Sequence, residues 1–306
     1  MKKIITILLL SFFAFTLFAI DDTSVTGESS VSSAELFAAY LADAQNGNAD
    51  ACYNISLCYQ YGYLDIEPDN EKAVYWAHKA ADLGVSDAMA DLGIYYLSLE
   101  NDWEKAKQYF EQAAKLKNPV AYYMMGLAYS KEINVNKNLN KGIANLKKAS
   151  KLGYAQADYQ LAFIYYIEKK DNKHAFQYFS KAAEGGIVNA QVQLGIMYGS
   201  GIGTAVNKIK SLEWYEKAAL QGNIQGMIAY GFELLIGEYL EQDSERGLNY
   251  LLYAGENGIP EEKKLAFDTL EFVYEQGIGV EQDSDKASEY HQKSILWTNQ
   301  INSNLP

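Results

Sequence analysis

The chain has 306 residues, is 49% hydrophobic and carries a formal net charge of -13. That is ample apolar material for a continuous core. Its one arginine, Arg246, and the lack of any basic cluster leave no electrostatic footprint for a phosphate backbone, which excludes nucleic acid as a partner. Cys52 and Cys58 stand six apart; on one helix they would be separated by about 240° and about 9 Å along the axis, beyond disulfide reach. They read as small, half-buried hydrophobes.

In chain order, Met1-Lys2-Lys3 and the apolar run Ile4 to Phe18 have the form of an export signal, with cleavage expected after Ala19. The run is short for a membrane span. The expectation is a periplasmic or secreted protein with no span after cleavage, and the alternative is an uncleaved anchor. No cysteine lies near Ala19, against a lipoprotein. Residues 20–33 are polar and Ser-rich, a flexible leader. Ser32-Ser33-Ala34-Glu35 has capping-box form and opens the first helix. The stretch Glu35 to Asn46, closed by Gly47, reads as a capping half-repeat.

A repeat then fills residues 34–297. Its centre is the small residue of a helix end, at Ala80, Ala113, Ala149, Ala182, Ala218, Ala254 and Ser294, with spacings of 33, 36, 33, 36, 36 and 40. That is the period of a helix-turn-helix solenoid unit, and the boundaries fall at about 48–84, 85–117, 118–153, 154–186, 187–222, 223–258 and 259–297, with a tail at 298–306. Helix A of each unit has a small residue (Ala51, Ala88, Ala121, Ala157, Ala190, Gly226, Ala266). Four later comes an apolar or aromatic residue, and four later again Tyr59, Tyr96, Tyr129, Tyr165, Tyr198, Leu234 or Tyr274. This spacing marks one face. Helix B repeats the device from Ala73, Ala106, Gly142, Ala175, Ser211, Gly247 and Ala287, with an aromatic three later in six of seven units. Trp76 and Trp214 are therefore packing residues, and Trp103 a local staple.

Gly47, Gly84, Gly153, Gly186, Gly222 and Gly258 are expected as left-handed caps of helix B, with Lys117-Asn118 as the one replacement. The 33-residue units shorten the A–B loop and lose the Gly-x-Gly turn of Gly201-Ile202-Gly203 and Gly277-Ile278-Gly279. The 40-residue unit inserts Pro260-Glu261-Glu262-Lys263, which suits a lengthened helix start.

Ala-x-x-x-Leu-Gly-x-x-Tyr, Gly-x-Gly, Asp-x-x-Lys-Ala and Trp-Tyr-x-Lys-Ala-Ala-x-x-Gly together resemble the Sel-1-like repeat (SLR), most closely at Ala190 to Gly222 and Asp283 to Ala287, over roughly Glu35 to Trp297. The third and sixth units match the pattern least. The resemblance implies an all-α fold, a right-handed α/α superhelix akin to tetratricopeptide arrays, and service as an adaptor. Among secreted members it is similar to the Helicobacter cysteine-rich proteins. Their framework pairs a helix A cysteine with one eight residues earlier; Cys52 matches the first, but Ala44 occupies the second, so the bridge is not expected. Some of those relatives are described as binding or hydrolysing β-lactams.

For a serine β-lactamase the lysine must reach the nucleophile from Ser-x-x-Lys, and no such tetrapeptide occurs. His78, His174 and His291 lie in different repeats without metal-ligand spacing. No cofactor, metal or catalytic residue is expected. With Ala51 at 0° and about 100° per residue, Ile55 and Tyr59 centre the packed side near 60°, while Asn54 falls near 300° and Tyr53 near 200°. The column of Asn54, Asp91, Met124, Gln160, Gln193, Ala229 and Thr269 varies between units, as a surface fitted to an irregular ligand would. The preceding column holds Tyr53, Tyr123 and Tyr159. Helix A lines the concave side of such stacks. The candidate partner-binding residues are therefore Asn54, Asp91, Tyr123, Tyr159, Gln160 and Gln193, contacting an extended peptide or protein segment. The competing duty of the tyrosines is packing between successive A helices, as for the uniformly apolar column Leu57, Ile94, Leu127, Phe163, Ile196, Phe232 and Phe272. The sequence thus reads as an exported, monomeric adaptor. The alternatives are a weak hydrolase or binder of β-lactam- or cell-wall-like small molecules, and a secreted factor acting on host cells.

Overall fold

A small residue, an apolar residue four later and an aromatic four later again give a helix one stripe on which a second helix can lie closely. In the computed structural model, which describes residues 32–303, each repeat is such a pair. The capping helix α1 (Ser33–Gln45) precedes α2 (Ala49–Tyr61) with α3 (Asn70–Asp82), α4 (Ser86–Ser98) with α5 (Trp103–Lys115), and α6 (Pro119–Lys131) with α7 (Leu139–Lys151). These form one compact unit ending at Leu152. The second unit pairs α8 (Ala155–Phe163, continued by a π turn Ile164–Glu168) with α9 (Asn172–Glu184), α10 (Val188–Ser200) with α11 (Lys208–Leu220), α12 (Ile224–Ile236) with α13 (Ser244–Asn257), and α14 (Pro260–Gln276) with α15 (Ser284–Ser303). No strand occurs among the described residues. The chain is an all-α repeat solenoid. Residues 1–19, expected as an export signal, and residues 20–31 of the expected leader lie outside the described residues.

One device joins A to B in every repeat. The residue before each B helix is Asp or Asn, and its side chain accepts from the backbone N–H three residues on, as at Asp69 to Lys72 and Asn207 to Lys210. Its own N–H donates to a carbonyl near the end of helix A, at Tyr59, Tyr96, Tyr129, Tyr165, Tyr198, Leu234 and Tyr274, over 2.8–3.0 Å. The residue three after the cap then lays a cation on the aromatic column. Lys72 sits over Tyr59, Lys105 over Tyr96, Lys141 over Tyr129, Lys210 over Tyr198 and Lys286 over Tyr274. Where repeat 4 has His174, the imidazole stacks on Tyr165 at 5.0 Å. Where repeat 6 has Leu234, Arg246 turns to Tyr230 and Tyr250. Each such contact contributes about 0.5–1 kcal/mol at an exposed site.

Several local expectations are met. Ser32 and Glu35 form the capping box. The four-residue insertion lengthens α14 to 17 residues, Pro260 leading. Cys52 and Cys58 are unbridged, though fully buried where half-burial was expected. Others are corrected. Gly258 is extended (φ -69), not left-handed: α13 runs to 14 residues where the preceding B helices have 13, so Gly258 is its immediate cap. In the replacement, Lys117 takes the left-handed turn (φ 61), while Asn118 caps α6 through Ala121. Trp103 reaches beyond its own loop, edge-on to Tyr129 of the next repeat at 5.5 Å. The expected tail continues α15 as far as Ser303, since nothing from Thr298 to Ser303 breaks a helix. In the shortened loops Asn101 and Lys170 take positive φ in place of glycine. At Gly203 a Cβ would lie 2.1 Å from the carbonyl oxygen of Asn172, so this loop rests directly on the preceding repeat.

Candidate functional site

The repeat builds its own rule for what fills the space beside helix B. Four residues after the small B position stand Phe110, Leu146, Phe179, Tyr215 and Leu251 in repeats 2 to 6. Apart from Tyr215, these are essentially sealed from solvent. Helix A makes room for them with a small residue: a Cβ on Gly93 would stand 2.5 Å from the Phe110 ring, and one on Gly195 2.8 Å from that of Tyr215. Repeat 1 breaks the rule on both sides, with Ser56 on helix A and Ala77 on helix B. Ser56 turns its hydroxyl onto the Ala73 carbonyl at 2.9 Å. The volume left open is a cavity of about 430 Å³ bounded by α2, α3 and α4, with Gln60, Tyr61, Val74, Asp91, Ile94 and Ser98 among its walls. Repeat 7 also departs, with Glu271 and His291 3.0 Å apart beside a polar recess of about 280 Å³.

Asp91, a candidate from its column alone, stands at that cavity. Its Oδ2 accepts from the Tyr53 hydroxyl of the preceding A helix at 2.8 Å. Its other oxygen accepts no hydrogen bond among the described residues, and no cation pairs with it. Helices on three sides of the cavity partly desolvate this half-buried side chain. That desolvation, reinforced by Asp87 and opposed by the Tyr53 hydrogen bond, pushes its carboxyl up to about 7. Burial and then the Asp91 charge push the Tyr53 hydroxyl upward, and the same two causes, with Tyr63, bring Tyr61 to about 12. Ser98 Oγ is buried with no hydrogen-bond partner, the one such side-chain atom among the described residues.

The other candidates are all half-buried on A helices. In the first unit these are Asn54 on α2 and Tyr123 on α6; in the second, Tyr159 and Gln160 on α8 and Gln193 on α10. The side-chain amides of Asn54, Gln160 and Gln193 make no hydrogen bond among the described residues. By contrast Asn118, Gln191 and Gln242 are tied to the protein. Tyr159 packs edge-on against Phe163 at 4.8 Å and Phe179 at 6.0 Å. The apolar outward column packs in part, Leu57 and Leu127 being buried and Phe232 lying 6.3 Å from Phe272. Sequence reasoning missed Ala77, Ser56 and Ser98; the signal for the first was an alanine in a column of Phe, Leu and Tyr.

The histidines serve the packing. His78 bridges the hydroxyls of Tyr96 (2.9 Å) and Tyr109 (3.1 Å), and burial together with Lys105 holds it below its ordinary value. His174 pairs with Asp171 at 2.6 Å.

Comparison with known proteins divides the repeats between two models. The Sel1 repeat model matches residues 49–85, 188–223, 224–259 and 264–296. The chain is a Sel1-repeat protein. A second model, plant tetratricopeptide repeats, matches 99–191, the stretch holding most of the shortened repeats and the degenerate third. The sixth repeat, for all its departures, is matched as Sel1. This Sel1-repeat protein is 27% identical over 271 residues to the chitin synthase regulator SKT5 of Saccharomyces cerevisiae, covering 85% of the chain. It spans 34% of that regulator's length. Among solved structures, a protective antigen of uropathogenic Escherichia coli with an SLR fold superposes with a TM-score of 0.60 at 24% identity, over 85% of this chain and 64% of that one. A Sel1 repeat protein from Oxalobacter formigenes gives 0.58 at 24%, over 90% and 82%. Both likenesses are of fold. No helix among the described residues is long and apolar enough to cross a membrane.

Proposed function

We propose that this Sel1-repeat protein is an exported adaptor that binds an extended peptide or protein segment along the outward faces of its A helices, as a monomer and without a cofactor. The observation that carries the reading is the set of half-buried amides, Asn54, Gln160 and Gln193, which make no hydrogen bond among the described residues, on an otherwise constant scaffold. Amides so placed match the alternating donors and acceptors of an extended backbone, and partly desolvated polar groups gain most from a partner. The regulator named among its relatives supports the same class of role. Export rests on the pattern from Met1 to Ala19.

Replacing Gln160 and Gln193 together by arginine tests it. Capture of the partner from envelope extract should be abolished, with helicity and melting unchanged. Undiminished capture would overturn the assignment.

A further inference from the structure

The gap at Ala77 has the shape of something removed. Repeats 2 to 6 fill this place with Phe110, Leu146, Phe179, Tyr215 and Leu251, and the cavity at repeat 1 is ample for such a side chain. Its apolar walls include Val74, Leu92 and Ile94. Its polar groups are unspent among the described residues: one Asp91 oxygen accepts nothing, and Ser98 Oγ lies against the same space without a partner. A carboxylate partly shielded from bulk water, with no cation paired to it among the described residues, attracts one more strongly than a fully exposed acid does. The chain's charge of -13 favours approach by a basic segment.

We infer that this cavity is an anchor pocket for a partner peptide, taking a leucine- or phenylalanine-sized side chain against Ala77 and setting an adjacent cationic group on Asp91. The inference rests on the peptide-binding reading above and names the chemistry of the segment bound. The anchored side chain completes the packing that the other repeats supply for themselves, and burying it removes from water both its own apolar surface and that of Val74 and Ile94. Asp91 then selects lysine or arginine beside the anchor. Tyr53, bonded to the other carboxyl oxygen, fixes the direction in which the free oxygen points.

The test is a methyl-NMR titration of the full chain, following Ala77, Leu92 and Ile94, with the acetylated, amidated peptide Ala-Phe-Lys-Ala. Saturable shifts are expected. Affinity should fall about tenfold or more when Phe is replaced by Ala, when Lys is replaced by Gln, or in Asp91→Asn, about the loss of one partly desolvated ion pair or apolar anchor. The double variant Ser56→Gly/Ala77→Leu, which installs the packing of the other repeats, should not bind and should melt higher. Asp91→Asn leaves the volume unchanged and keeps the test decisive if the filled variant does not fold. Equal binding of the Phe-Gln peptide, undiminished binding by the filled variant, or no saturable shift would overturn the pocket. The Gln160→Arg/Gln193→Arg variant lies in the other unit and should titrate as wild type. Failure of the titration alongside Gln160-dependent capture therefore removes the anchor only, whereas capture that survives the arginines removes the A-helix reading.

Discussion

Repeats 1 and 2 solve the same packing problem in opposite ways. In repeat 2, Gly93 withdraws and Phe110 advances, and the ring is sealed. In repeat 1, Ser56 advances onto its neighbour's carbonyl, Ala77 withdraws, and the space stays open to the half-buried carboxyl of Asp91. The two pairs share their cap, their A–B hydrogen bond and their lysine-on-tyrosine contact. A stack whose joints are this redundant can leave one filling residue out and still fold, because each repeat is held chiefly by its neighbours. A departure of this kind is where a binding site can be placed at least cost to the scaffold.

The comparison breaks most sharply at Phe110. Phe110→Ala should open in repeat 2 the space that repeat 1 already has, at a cost of about 3–5 kcal/mol in urea unfolding; a loss under about 1 kcal/mol would mean that the ring is not a keystone. Gly203→Ala comes next. Its Cβ would collide with the Asn172 carbonyl and its φ of 71 is strained for any side chain, so about 2 kcal/mol or more should be lost. Gly222→Ala, with the same kind of φ and open space around it, should lose only about 1 kcal/mol.

Asp91→Asn sharpens the comparison through pH. The folded carboxyl, at about 7, lies above its ordinary 3.8, so the folded chain holds the extra proton between those values. Stability from this group is therefore full below about pH 4 and is lost as pH rises toward 7. The asparagine variant keeps the acceptor for Tyr53 and should be more stable than wild type at pH 8, by on the order of 1 kcal/mol once the half-exposure of the side chain is discounted. At pH 4 the difference should vanish. Smallest of all, Lys210→Met removes one cation from one ring and should lower stability by about 0.5 kcal/mol.

Most of the architecture was legible because it is written seven times. The columns through Ala51 and Ala73, the lengthened α14 and the first cap at Ser32 follow from period and helix geometry alone. A 100° step also places Asn54, Gln160 and Gln193 away from the packed side, and all three side chains are half-buried. Two things resisted. Tyr53 and Asp91 were both placed outward, yet their bond depends on how one A helix is turned against the next, which no single-helix wheel contains. The cavity is an absence, and Ala77 in isolation is an unremarkable helix residue; it gains meaning only beside Phe110 and Leu146 in its own column. Lys117 and Gly258 show the same limit at chain reversals, where a lysine takes the left-handed turn and a glycine does not.

The most direct measurement is photo-crosslinking from two positions of the full chain, one at Gln160 on the outward face of an A helix and one at Glu216 on a B helix. The account predicts one discrete adduct from Gln160, lost in the Gln193→Arg background, and none from Glu216. Equal adducts from both positions, or adducts from Glu216 alone, would contradict it.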